Sequence, residues 1–451
     1  MKKPKAAKGV TWVGYLTIPI LAAIYRFLGW LHWGKWKFPV RDFEEDPRSM
    51  GAHGVIYLGY KYYQNPHNTG SKGFDAETYF AEQDLDFHMP QGFVPTHSAT
   101  LHAGGDLMPY KLINTKTAKH LWDEVGKDFF GADMVTANLE TPIVTTKKQQ
   151  AVPEMMLYHM YFNGSEEMFN IFNGNGNHKG FDVLSVANNH SLDMGEEGLA
   201  STIEFLNNKS ISHCGAALAE NDLHSFPILE RNGIRTAFLS YTYSLNREIN
   251  PKHKPWLTNH LPLNTPGCDL TLLKEQCRLA KERGAAFTVI SLHCGNAYQA
   301  YPSSHIVDLF HRVFDECGPD IILGSHPHNI QPMETYIFAD QSTGRQKKGF
   351  AIYSLGDFVA YDIFTWGHLP VYLKLKLSIG LLNGQPYSQL EQVEAVPLYA
   401  SFDKEKMELR FKHLTEVLSK VENLPRRNQN ELKGLAHFYQ KHFVGNLNAT
   451  S

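Results

Sequence analysis

From Ser98 to about residue 330, short apolar runs alternate with stretches of helical period, and most runs stop on a polar residue. A strand covered on both faces reads as a continuous apolar run. A helix between two such runs lets the strands lie parallel. This texture restricts the chain to an α/β architecture. The run at 99–103 leads into Gly104-Gly105-Asp106, 134–137 into Asn138-Leu139-Glu140, and 181–187 into Asn188-Asn189-His190. The run at 236–240 continues into Tyr241-Thr242-Tyr243. Those at 286–292 and 321–323 end on His293 and on Gly324-Ser325-His326-Pro327-His328. Helices are expected over 114–127, 196–207, 270–283 and 304–315. After residue 330 helices no longer interleave, so strands at 330–338, 349–355, 371–377 and 391–398 are expected to pair antiparallel. Residues 403–445 read as charged and helical, with a break near Pro425.

Ligands of α/β sheets bind outside the carboxyl ends of the strands. Asp106, Glu140, Asn189, His190, His293, His326 and His328 are therefore expected to converge on one polar pocket. Singly, each has a plainer reading. Asp106 could cap a helix, Glu140 could be a solvated turn residue, Asn188-Asn189 could form a turn, and His293 could be a core histidine. His326-Pro327-His328 carries more weight, because proline favours an extended segment whose alternate side chains share a face. Carboxylate, amide and imidazole donors together suit a divalent Mn, Fe or Zn ion, and one carboxylate can bridge two such ions. The metal ligands expected are Asp106, Glu140, Asn189, His293, His326 and His328. His190 is the candidate proton donor, and Asp193, three residues on, could orient it.

The chain has 451 residues, 43 basic and 46 acidic, for a net charge of −3. No cationic excess is present to neutralise phosphates, so nucleic acid is not an expected partner. Five cysteines without a CxxC do not form a disulfide framework. Cys294 beside His293 would allow a thiol or redox site, but neighbours on a strand face opposite ways.

At the amino end, Lys2, Lys3, Lys5 and Lys8 precede the uncharged 10–25. Arg26 interrupts, 27–33 resumes, and Lys35, Lys37 and Arg41 follow. Residues 1–37 are expected to anchor the chain in a membrane with Arg26 snorkelling; the alternative is a helix docked on the domain. Residues 38–97 read as an irregular extension, 98–400 as the main domain, and 401–451 as a helical tail.

Gly105-Asp106-Leu107-Met108, Asn138-Leu139-Glu140-Thr141-Pro142, Ala187-Asn188-Asn189-His190-Ser191-Leu192-Asp193-Met194-Gly195, Gly324-Ser325-His326-Pro327-His328 and Tyr353-Ser354-Leu355-Gly356-Asp357-Phe358 resemble, in order, the CapA-type proteins of poly-γ-glutamate capsule synthesis. These in turn look like calcineurin-type metallophosphoesterases. The resemblance implies a four-layer αββα sandwich with one or two metal ions at loops between two sheets. It also implies an amino-terminal anchor and an extracytoplasmic domain. The implied activity is hydrolase-like, on a phosphoester or amide bond, with an anionic polymer or a small phosphoester or amide as substrate. The other reading is a non-catalytic component of a membrane complex for polymer synthesis or export. The chain departs from the resembled patterns. Met108 stands where the phosphoesterases have His, and Glu140 where they have a bridging Asp. Cys294, Ala297, Ser325 and Asp357 stand for Trp, Glu, His and Asn of the capsule proteins. One ion rather than two, and weakened catalysis, both stay open.

Overall fold

The computed structural model describes residues 12–32, 36, 44–65, 71–156, 160–340 and 344–443. Its strands in chain order are β1 (Phe93–Leu107), β2 (Met134–Leu139), β3 (Val183–Ser185), β4 (Ser212–Cys214), β5 (Ile228–Arg231), β6 (Ile234–Thr242), β7 (Phe287–His293), β8 (Ile321–Ser325), β9 (Ile330–Ala339), β10 (Gln346–Leu355), β11 (Asp357–Val359), β12 (Val371–Leu382), β13 (Gln385–Asp403) and β14 (Glu408–His413). They form two sheets. One runs β14-β13-β12-β1-β2-β3-β4, with β11 beside β1; the other runs β5-β6-β7-β8-β10-β9. Strands β1 to β4 are parallel neighbours, and so are β6 to β8.

The period of two along each strand assigns its side chains to two cores. Leu101 and Ala103 of β1, Met134 of β2 and Val183 of β3 face a core shared with Leu239, Tyr241 and Ile322 of the second sheet. The intervening Val135, Ala137 and Leu184 face outward, against Trp122, Phe129, Phe169 and Leu206. Helices Glu166–Phe172 and Gly195–Asn208 supply that outer layer. Helices Thr271–Glu282 and Ser304–Cys317 cover the other sheet. Ile306, Phe310, Val313 and Cys317, on one helical stripe, are buried there. The result is the four-layer αββα sandwich implied by the resemblance.

Four expectations change. First, 114–127 is a series of turns with one helical turn at Gly126–Phe129. The Asn114 carboxamide accepts from the N–H groups of Lys116 and Thr117, and the Thr117 hydroxyl donates to the Leu112 carbonyl. These local bonds replace the helical ladder. Second, the strands after residue 330 divide between the sheets. Pairs β9–β10 and β12–β13 are antiparallel, but β10 also lies parallel to β8, and β12 closes onto β1. Third, residues 403–445 include strand β14, because Leu409 and Phe411 alternate into the outer core before the helix Arg426–His442 begins. Fourth, 38–97 is not irregular throughout. It holds the helices Ala52–Gln64 and Ala76–Ala81, with Tyr62, Phe80, Leu85 and Phe87 buried.

The helix Trp12–Leu31 lies against Ala52–Gln64. Gln64 donates to the Ala22 carbonyl at 2.9 Å, and the Tyr25 and Tyr63 rings stack 5.1 Å apart. Ile20, Ile24, Phe27, Trp30 and Leu31 are left exposed. Among the described residues no helix is long and apolar enough to cross a membrane, so the expected span is not shown. The flanking cations Lys2, Lys3, Lys5, Lys8, Lys35, Lys37 and Arg41 lie outside the described residues.

Gly356 is the residue at which the chain leaves the second sheet, at the end of β10, and enters the first, at the start of β11. Its φ is +65°, and a Cβ there would meet the Ile330 nitrogen at 2.9 Å. Its carbonyl accepts from the Asp106 N–H at 2.9 Å. Gly356→Ala is expected to cost about 2 kcal/mol or more, from left-handed strain and overpacking, as measured by denaturant unfolding.

Candidate metal centre

The polar residues at the strand ends gather where the two sheets face each other. Asp106 is the next-to-last residue of β1, Glu140 follows β2, and Asn188 to His190 follow β3. His293 ends β7, and His326 and His328 follow β8. The pocket expected at one rim is therefore shared by two.

Asp106 lies at the centre and is fully buried. Its Oδ1 accepts from the Asn138 amide at 2.7 Å. Two groups of donor atoms meet on it, and within each group all lie within 4.8 Å of one another: Asp106 with Glu140 and His293, and Asp106 with His328 and Asp357. The carboxylate common to both is Asp106, not the Glu140 that the motif comparison offers as a bridge. In the first group, His293 Nε2 is 3.6 Å from Glu140 Oε1 and 2.9 Å from Asn189 Oδ1. His293 Nδ1 sits 2.9 Å from Ser325 Oγ, the hydroxyl standing where the resembled motif has histidine. In the second group, His328 Nδ1 is 2.8 Å from Asp357 Oδ1. Asp357 is not among the metal ligands expected from the sequence, although it lies in one of the motifs. As a Gly-Asp at the end of an apolar run, it carries the same signal as Gly105-Asp106.

The His326-Pro327-His328 segment is not extended. His326 has φ +97° and His328 φ +61°, a costly conformation of the kind found at functional sites. Both imidazoles are buried all the same. The His326 ring lies 5.1 Å from His293 and 6.1 Å from His328. Cys294 is buried and outside the cavity lining, as expected of a strand neighbour of His293.

Burial sets the electrostatics. It pushes the Asp106 carboxyl up to about 6, although His328 opposes the shift. It raises Glu140 well above the usual carboxylate range, and the adjacent Asp106 charge adds to that. His293 is pushed well below the normal imidazole value by burial and by the neighbouring imidazoles of His326, His328 and His190. For His328 burial acts downward too, but Asp357 and Asp106 outweigh it and the net shift is upward. Neither Glu140 oxygen has a hydrogen-bond donor, and neither has His326 Nδ1. Buried acceptors without donors are rare and costly. Here they converge with carboxylate and imidazole atoms, so the residues fit a divalent cation.

A cavity of about 130 Å³ opens above this cluster, lined by His190, Asn189, Arg247, Tyr298, His326 and His328 among others. His190 Nδ1 is 2.6 Å from Asp193 Oδ2, which also accepts the Phe162 N–H at 2.6 Å. The His190 ring stacks on Phe162 at 3.8 Å. The pair is thus fixed at the cavity wall, with Nε2 the ring nitrogen left over. Two amides that lie in the sequence motifs but not among the expected site residues, Asn138 and Asn188, join the strand ends. Asn188 donates to Asn138 Oδ1 at 3.2 Å and to the Leu139 carbonyl at 2.8 Å.

Residues 100–362 match the model of the family described as bacterial capsule synthesis protein PGA_cap. The chain is 27% identical over 267 residues to the capsule biosynthesis protein CapA of Bacillus anthracis, covering 58% of this chain and 59% of that protein. It is 28% identical over 255 residues to the PGA biosynthesis protein CapA of Bacillus subtilis (strain 168), covering 55% and 59%. It thus spans about three-fifths of the length of these curated relatives. Among solved structures, the calcineurin-like phosphoesterase YfkN from Bacillus subtilis superposes with a TM-score of 0.38 at 13% identity, over 76% of this chain and 100% of that one.

Glu140 makes the metal-free protein pH-sensitive. Its folded-state pKa lies above the ordinary 4.5. The stability it contributes is therefore full below about that pH and is lost as pH rises through the folded-state value. Glu140→Gln is expected to raise the melting temperature of the metal-free protein at neutral pH. The gain corresponds to about 1 kcal/mol or more and shrinks as the pH approaches 4.5. Thermal unfolding in chelator across this range checks it.

Proposed function

Because the chain belongs to the bacterial capsule synthesis protein family PGA_cap, we propose that it serves the synthesis or processing of an anionic capsule polymer of poly-γ-glutamate type, through a metal-dependent hydrolase-type site. The observation that carries this reading is the pair of carboxylate–imidazole groups sharing Asp106 beneath an open cavity. The first position would be held by Asp106, Glu140 and His293, with Asn189 Oδ1 beside His293 and the unpartnered His326 Nδ1 as a further donor. A second would be held by Asp106, His328 and Asp357, with Asp357 in the part that Met108 cannot take. Mn, Fe and Zn suit such donors. Bound there, the ions supply Lewis-acid polarisation of a phosphoryl or carbonyl group and an acidified water.

The remaining work falls to the chain's own side chains. Asp193 holds the Nδ1–H of His190, so Nε2 is the atom that delivers a proton to a leaving oxygen or nitrogen. Phe162 fixes the plane of the ring and shields one of its faces from water. Arg247, exposed at the cavity, is placed to meet a negatively charged substrate. A phosphoester and an amide within the polymer both satisfy this arrangement.

A second reading is a non-catalytic role in an envelope-bound polymer assembly, favoured by the exposed apolar side of the helix Trp12–Leu31. In that reading Ile20, Ile24, Phe27 and Trp30 face lipid, and the domain sits at the membrane on the outer side.

The purified full chain is expected to carry stoichiometric Mn, Fe or Zn, and Asp106→Asn and His328→Ala are each expected to lose it. His190→Ala is expected to keep the metal while turnover falls about 10²–10⁴-fold. Metal analysis and hydrolysis assays test both; a metal-free chain with full activity refutes the reading. Metal-ligand variants that still support capsule export, while removal of residues 1–37 abolishes it, would establish the second reading instead.

A further inference from the structure

Glu44 lies 56 residues before the first residue matched by the family, yet its carboxylate sits in the metal site. Oε1 is 3.3 Å from His326 Nε2 and accepts the Tyr243 hydroxyl at 3.4 Å. Oε2 accepts from Lys61 Nζ at 3.1 Å and from the Ala297 N–H at 3.0 Å. Lys61 and Glu44 are almost wholly buried, with side chains 4% and 8% exposed. The Asn264 amide bonds the Glu44 carbonyl at 3.2 Å and the Gly295 carbonyl at 2.9 Å, tying this segment to the loop after His293.

The other nitrogen of His326, Nδ1, is buried and has no partner. A ring whose Nε2–H is given to a carboxylate has its lone pair at Nδ1. A histidine that ligates a metal through one nitrogen commonly donates the other N–H to a carboxylate, which fixes the tautomer and the ring orientation. We propose that Glu44 is the positioning residue for His326, so that the segment ahead of the family domain completes the metal site with a carboxylate held by Lys61. This rests on the metal reading given above and goes beyond it by making residues 44–61 part of the centre.

The test is Mn²⁺ binding by the full-length chain, measured by competition with a fluorescent chelator. Glu44→Gln is combined with Lys61→Met so that no buried ammonium is left unpaired. One of the two bound ions is expected to weaken about 10–100-fold while the other is unchanged and the metal-free melting temperature is close to wild type. Glu44→Asp, which keeps the charge but withdraws it by one methylene, is expected to show a smaller loss of the same ion. This variant carries the test if the double variant does not fold. A folded variant that binds both ions as tightly as wild type overturns the role of Glu44, and so does one that binds both and turns over faster, which would mark Glu44 as a plug. Wild-type protein that binds no Mn²⁺ overturns the metal reading itself, a separate outcome.

Discussion

Asp106, Glu140 and Asp357 are buried beside His293, His326 and His328, and the six rank among the least exposed polar residues of the chain. A lone carboxylate in such a place forfeits solvation worth several kcal/mol, so three together cannot all be ionised without positive charge nearby. The protein answers locally with amides and imidazoles, and incompletely. Asn138 serves Asp106 and His328 faces Asp357, but burial and the neighbouring carboxylates disfavour the charged form of Glu140. Divalent cations at the two donor groups would relieve these carboxylates. The parallel strands, the close turns and the docked amino-terminal helices hold this unfavourable cluster together.

Holding it takes contributions from distant parts of the chain. The first sheet brings three polar strand ends and the second brings two. The buried Ser185 and Ser240 hydroxyls, 2.5 Å apart, link β3 to β6 across the interior. The helix Ala52–Gln64 is pinned by Tyr62, which donates to Asp362 at 2.7 Å and accepts from the Met156 N–H at 2.7 Å. The same helix carries Lys61. Closing the cavity wall and supplying Glu44 are therefore one structural event.

The polar strand ends were legible because a buried parallel strand leaves an unambiguous apolar run, and the residue after it must emerge at the binding edge. Which sheet a strand joins was not legible, since an apolar run looks the same in either. The His326-Pro327-His328 geometry failed because proline fixes its own φ but does not prevent positive φ on either side. The helix expected at 114–127 failed because Asn114 and Thr117 bond locally. Strand β14 was hidden by its charge: Glu408, Arg410 and Lys412 face outward and mask the alternation of Leu409 and Phe411. Glu44 left no signal, because a single glutamate in an aperiodic stretch is recognisable only once its partners, 17 to 282 residues away, are known.

The crossing at Gly356 has a mechanical meaning. Asp357 belongs to the first sheet, while the chain on the other side of Gly356 belongs to the second, and Asp357 N–H bonds the His328 carbonyl at 3.2 Å. In most sandwiches two sheets are held at their spacing by side-chain packing, which yields under load. Here one residue, Gly356, joins a strand of one sheet to a strand of the other beside the site. The placement of Asp357 against His328 is therefore gauged by covalent bonds as well as by packing, and thermal breathing of the core would leave it nearly constant.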